Sequence, residues 1–305
     1  MTKRKIVFGL IGLLAMPNLA QATQINLSTF AGKMEYDNSI EKSNRDNGVF
    51  YGVDAIFEEP NFALEGRIEK TDISYKSSLD INDTEEYDTT ILAHFGMDSN
   101  IRYTAGMHYI STDDEQLYNG GTAIFKASKI IGTETQYAAI GSELFVTHFE
   151  KGHDELGTAK AVTIGQITPF FKIYQEFYSG LTTRIKASLS LQKTDSYQKQ
   201  DYSLYEISFG GNYKNIDMSF YIFGGEARTN LRDGGRILYN TLDLQKNGIG
   251  IKVGYEITKH VAVFASYQER TFEEYLHTKD NTLKDASILL NFKFENDFKS
   301  ASPRF

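Results

Sequence analysis

Charged side chains recur at alternate positions inside apolar stretches of this sequence, and their chemistry demands a placement. Glu65, Arg67 and Glu69 alternate with Leu64, Gly66 and Ile68, while Arg102 and His108 alternate with Ile101, Tyr103, Met107 and Tyr109. Arg184 and Lys186 alternate with Ile185 and Ala187, and Lys252 and Glu256 with Ile251, Val253, Tyr255 and Ile257. The same phase yields Asp54, His94, Glu143, Lys172, Glu176, Glu206, Arg270 and Lys293. Against hydrocarbon, each such charge would cost about 2–4 kcal/mol near mid-bilayer, and less for an acid. On an inner face they need water or one another. The candidate lining of a hydrated interior is therefore Glu65, Arg67, Glu69, Arg102, His108, Glu143, Lys172, Arg184, Lys186, Lys252, Glu256, Arg270 and Lys293. Acids and bases nearly balance in that set, so cross-strand ion pairing is the competing use for it. Selectivity is not legible in a balanced set, because the narrowest ring decides it. Arg184 and Lys186, with Lys172 on the strand before, are the candidates for a basic patch.

Strands must position these residues. A helix would bring apolar residues at i, i+3 and i+4, whereas these segments alternate strictly. They run for about ten to twelve residues, the length that crosses a bilayer as a tilted strand. Short connectors rich in turn formers, such as Glu58-Glu59-Pro60-Asn61, Met97-Asp98-Ser99-Asn100 and Tyr178-Ser179-Gly180, alternate with longer polar ones. The longer ones cover 37–47, 76–86, 112–120, 150–159, 193–201, 229–246 and 273–284. This is the pattern of a closed antiparallel transmembrane β-barrel with short turns at one end and loops at the other. The count is about fourteen strands, with both chain ends on the short-turn side. The stretch 121–131 alternates poorly, and if it were loop the count would be twelve. Closure is required because only a closed barrel satisfies every backbone group in lipid. Fourteen strands enclose a wider lumen than a small filled barrel, so the interior is expected to be hydrated.

The chain has 305 residues and a net charge of −8, with no cysteine and no tryptophan beside 19 tyrosines and 21 phenylalanines. Lys3, Arg4 and Lys5, an apolar run too short to span a bilayer, Pro17, and Ala20-Gln21-Ala22 form a signal peptide over 1–22, cleaved after Ala22. Thereafter no stretch approaches the roughly 18 apolar residues of a membrane helix. Residues 23–298 form the barrel and 299–305 a polar tail. An acidic chain without a basic cluster is a poor partner for nucleic acid. Aromatic rings cluster near both strand ends, with Phe57, Phe62, Phe95, Phe177, Tyr213 and Tyr255 on the turn side. Tyr75, Tyr87, Tyr109, Tyr202, Tyr267 and Phe272 lie on the loop side, as expected of interfacial girdles.

Ile288, Leu290, Phe292, Phe294 and Phe298 share one phase of the last strand. The stretch resembles the C-terminal signal of Gram-negative outer-membrane β-barrels, an alternating apolar strand ending in an aromatic residue, although Asn296 and the tail to Phe305 depart from it. At the level of architecture the chain is similar to compact, single-chain porins. That resemblance implies an outer-membrane location, recognition by the barrel-assembly machinery, contact with lipid and lipopolysaccharide, and passive diffusion of small hydrophilic solutes or ions. A surface adhesin, a receptor or a structural barrel is the alternative, and the connector 229–246 is long enough to serve one. Monomer is preferred over oligomer. Catalysis is not expected. The adjacent His153-Asp154 lies in a loop without the His-Gly-Ser element of outer-membrane phospholipases or the paired Asp of omptin-like proteases. The acidic runs Asp80, Asp83, Glu85, Glu86, Asp88 and Asp113, Asp114, Glu115 read as a solvated rim, with cation bridging to lipopolysaccharide as the sharper alternative. They lack calcium-hand spacing, so neither a metal nor a cofactor is expected.

Overall fold

A computed structural model describes residues 24–37, 43–77, 82–113, 117–153, 159–178, 180–195, 200–228, 231–232, 237–238, 243–274 and 279–295. The signal segment with Ala20 and Ala22, Phe298, the tail 299–305, Asp80, Asp114, Glu115 and Asp154 lie outside the described residues. The strands in chain order are β1 (Gln24–Tyr36), β2 (Arg45–Glu58), β3 (Phe62–Tyr75), β4 (Thr84–Phe95), β5 (Ile101–Thr112), β6 (Leu117–Gly132) and β7 (Gln136–His153). They continue as β8 (Ala159–Glu176), β9 (Leu181–Thr194), β10 (Asp201–Tyr213), β11 (Ile216–Arg228), β12 (Leu231–Arg232), β13 (Ile237–Leu238), β14 (Leu244–Thr258), β15 (Val261–Glu273) and β16 (Asp280–Glu295).

Fourteen of them close into an antiparallel barrel, while among the described residues β12 and β13 pair with each other inside the β11–β14 connection. Each wall strand neighbours its sequence neighbours, and closure comes from β1 pairing β16, from Gln24↔Glu295 to Tyr36↔Leu283. The weakly alternating stretch 121–131 is a strand, inside β6, paired on both sides. Its outward phase is apolar (Ala123, Phe125, Ala127), but Ile124 on the inward phase hides the alternation. Strands also run further into the expected loops than polarity suggests; Arg45, Thr84 and Asp280 begin strands rather than lie in connectors. The β8–β9 ladder lapses between Ile167↔Leu191 and Phe170↔Ser188, where Pro169 has no N–H to give.

Outward positions are apolar around the whole wall: Met107, Ile140, Leu144, Val146, Ile167, Phe171, Ile185, Phe209, Met218, Ile249 and Ile288 all have exposed side chains. A soluble monomer rarely exposes so continuous an apolar surface, and lipid removes the cost. Phe95, Phe177, Tyr213 and Tyr255 ring the short-turn end of this face, and Tyr109 and Tyr267 the other. Two of the expected girdle residues do not belong there. Tyr202 and Phe272 are buried inside, because their positions share the inward phase of β10 and β15.

The interior departs from the hydrated lumen expected of a wide barrel. Three apolar clusters fill much of its loop-side half, the largest joining Leu92, Ile110, Ile124, Phe145, Phe149, Val162 and Ile164 across β4–β8. The second joins Met34, Tyr36, Phe272 and Leu283, and the third Leu204, Phe223 and Ala227. Large residues alternate with glycine to make this fit: a Cβ on Gly120 would lie 2.4 Å from the ring of Phe149. Residue size, not strand number, therefore sets the bore.

The loop end is tied by buried charge. Arg45 Nη1 donates to Asp243 Oδ2 at 2.5 Å, and its Nε lies 3.7 Å from Glu274 Oε1. These three side chains are 4%, 3% and 5% exposed, and Glu274 also accepts the Asn44 N–H at 2.9 Å. Glu274, beyond the end of β15, has its carboxyl pushed above the ordinary range by burial, with Arg45 opposing. The bridge joins the start of β2 to the residue before β14 and the residue after β15 at the barrel mouth.

A candidate site in the lumen

Inward residues of β5–β9 assemble a basic surface at the short-turn half. Strand register decides who meets whom. Lys126 stands opposite Glu143 between β6 and β7, and Lys172 stands directly opposite Lys186 between β8 and β9. Lys126 Nζ is 3.0 Å, and Lys186 Nζ 4.0 Å, from the same atom, Glu143 Oε1. Both ammoniums lie over the Phe170 ring, at 5.0 and 5.6 Å from its centroid. That ring has room because the facing residue is Gly141, whose missing Cβ would stand 2.6 Å from Phe170 Cζ. One rung nearer the turn, Arg184 Nη2 donates to Asp217 Oδ2 at 2.8 Å.

These residues open onto a cavity of about 290 Å³ whose walls include Arg102, Lys126, Lys172 and Lys186. Ile56, Ala63, Leu92 and Met97 supply its apolar side. Two acids, Glu58 and Glu65, also line it. Glu65 is 1% exposed and meets His94 Nε2 at 3.4 Å, while His94 Nδ1 hydrogen-bonds with Thr104 Oγ1 at 2.9 Å.

Towards the loops a polar network crosses the wall above this cavity. His108 hydrogen-bonds with Thr90 at 2.7 Å and with Asp88 at 3.1 Å, and Thr122 with Thr147 at 2.9 Å. Gln192 donates to Gln166 at 3.0 Å, Gln166 to Thr168 at 3.0 Å, and Thr168 pairs with Ser190 at 3.0 Å. Buried hydroxyls and amides satisfied in this way stiffen the wall.

All the candidate lining residues of β3–β16 stand on the inward phase, but they fall into separate groups. Glu65, Arg102, Lys172 and Lys186 share the cavity, with Glu143 behind it, while Arg184 pairs with Asp217 outside it. Arg67 pairs with Glu69, and its guanidinium lies 4.2 Å from the Phe30 ring centroid, higher on the wall. His108 is buried in the network above. On the far arc, Lys252 lies 4.7 Å from the Phe264 ring centroid, Arg270 meets Asp285 at 3.4 Å, and Lys293 pairs with Glu295. Glu256 is exposed near the turn end of β14. In the last strand Ile288, Leu290 and Phe292 pair with β1 and β15, and Phe294 with β1, along one phase opposite to the inward Lys293. Lys126, Asp217, Asp285 and Arg45 escape a reading by sequence. Lys126 sits in the stretch whose alternation Ile124 obscures, and Arg45 lies in a strand end polar enough to pass for loop, while Asp285 stands one residue past the stretch 273–284 expected as loop. A wall that is apolar outside and mixed inside defines the architecture of outer-membrane β-barrels.

No family model matches the chain, and no curated protein does. Solved structures agree with the class. The chain is similar to the CymD monoaromatic hydrocarbon channel at 9% identity, with a TM-score of 0.54 and 94% of each chain covered. It is similar to the Ralstonia pickettii toluene transporter TbuX at 8% identity and TM-score 0.53, covering 91% of this chain and 93% of that one. It is also similar to the P. putida toluene transporter TodX at 6% identity and TM-score 0.51, covering 91% of each. Likeness at these identities is a likeness of fold.

Proposed function

We propose that this chain is an outer-membrane channel that passes small hydrophilic solutes or ions by passive diffusion. The observation that carries the reading is the water-facing, charge-lined cavity of about 290 Å³ inside a wall whose outer face is apolar. In this reading the short turns face the periplasm and the loops face outward. Residues 1–22 direct export, and the assembly machinery, lipid and lipopolysaccharide are the partners. No catalytic role belongs to it. The filled loop-side half makes the bore narrow, so the solutes are small. That same filling favours the second reading, a structural or surface-binding barrel with no transport.

Conductance separates the two. Purified protein, refolded in detergent and shown to be heat-modifiable on gels, should give stepwise currents in planar bilayers. Folded protein that never conducts at any voltage overturns the channel and leaves the structural barrel.

A further inference from the structure

The short-turn cavity has a sign that the overall charge of the lumen does not. Counting Glu143 behind it, the cavity sets four cationic side chains, Arg102, Lys126, Lys172 and Lys186, against three acids, of which Glu65 and Glu143 are withdrawn and Glu58 is half-buried on the β2 wall. Glu65 is 1% exposed and Glu143 3%, yet the lysines that meet Glu143 keep 32% (Lys126) and 24% (Lys186) of their side chains in contact with solvent. A carboxylate buried behind two ammoniums positions them without presenting its own charge. Lys172, on the rung opposite Lys186, brings a third ammonium to the same wall. Two cations on facing positions both attract an anion placed between them. The β2 and β4 side of the cavity carries the apolar Ile56 and Leu92 beside Glu58 and His94, and the Phe170 ring floors the basic side.

We propose that this cavity is a binding station for small organic anions, namely carboxylates carrying a compact apolar body. The carboxylate sits among Lys126, Lys172 and Lys186, and the body lies against Ile56 and Leu92. The ammoniums supply charge-assisted hydrogen bonds, which are stronger than neutral ones, and the apolar wall gains by shedding water. The station deepens the channel reading, since it names the solute class favoured at the inner mouth. It does not require conduction in order to bind.

Equilibrium titration of the full chain, folded in detergent micelles, tests it with benzoate, acetate and benzylamine as probes. Benzoate should bind, acetate should bind more weakly for want of a body, and benzylamine should not bind. In the heat-modifiable double variant Lys172→Met, Lys186→Met, benzoate affinity should fall by about tenfold or more, the worth of one lost charged hydrogen bond. Lys126→Met provides an independent second variant with the same expected direction. Equal binding of benzoate and benzylamine, equal binding of acetate and benzoate, or unchanged affinity in folded variants overturns the proposal. A protein that binds benzoate but never conducts loses the channel reading and keeps this one. One that conducts without binding benzoate does the reverse.

Discussion

Arg45 holds the loop-side rim, and replacing it with methionine tests whether buried charge or apolar packing closes that end of the barrel. The guanidinium bridges Asp243 at 2.5 Å and Glu274 at 3.7 Å, and none of the three side chains is more than 5% exposed. Methionine keeps much of the volume over Tyr36 but leaves two carboxylates buried without their cation. Breaking a buried pair from one side costs about 3–5 kcal/mol, because the stranded charge remains desolvated. The loss should depend on pH in a defined direction. Burial already raises the Glu274 carboxyl, and Arg45 opposes that rise. Without Arg45 the carboxyl rises further, so acid neutralises the stranded Glu274 and the deficit shrinks. Urea unfolding of the micelle-folded protein, followed by circular dichroism at pH 8 and pH 5, gives both numbers. Arg45→Met should lose about 3–5 kcal/mol at pH 8 and clearly less at pH 5. A loss below about 1 kcal/mol, the range of an exposed pair, would refute the reasoning. So would a loss equal at both pH values.

Glu274→Gln isolates the raised carboxyl: its protonated form is favoured by the fold, so its contribution is complete below the ordinary carboxylate range and fades as pH rises through the raised value. The variant's stability should therefore fall less steeply with rising pH above the ordinary range than that of the unchanged protein, read from the same unfolding curves. Leu144→Arg puts a charge on the outward face of β7 and should cost about 2–4 kcal/mol if that face meets lipid; a neutral result in vesicles would place it elsewhere. Phe149, fully buried in the largest lumen cluster, should cost about 3–5 kcal/mol when cut to alanine. In bilayers the same variant should raise single-channel conductance, and an unchanged conductance would remove this cluster from the permeation path.

Sequence alone determines the side of the wall on which each residue stands. A strand turns every successive side chain to the opposite face, so period two assigns Arg102, Lys172, Lys186 and Lys293 inward and Leu144, Ile185 and Ile288 outward without any coordinates. The alternation of short and long connectors likewise yields the strand count, since each strand must return across the same thickness. The reading weakens where the inward phase is itself apolar, as at Ile124, because period two then has no polarity contrast to display. It also fails at strand ends such as Arg45 and Asp280, where polar residues continue the ladder into the loops. What only the tertiary structure decides is distance across the lumen and depth within it. Register places Lys172 beside Lys186, the neighbouring strands β6–β9 bring both Lys126 and Lys186 to one oxygen of Glu143, and packing buries that oxygen while leaving the ammoniums partly open to water. Composition counts Glu143 and the lysines as offsetting charges. Their unequal exposure to solvent is a property of three-dimensional packing, and it turns a balanced set of residues into a cavity with a sign.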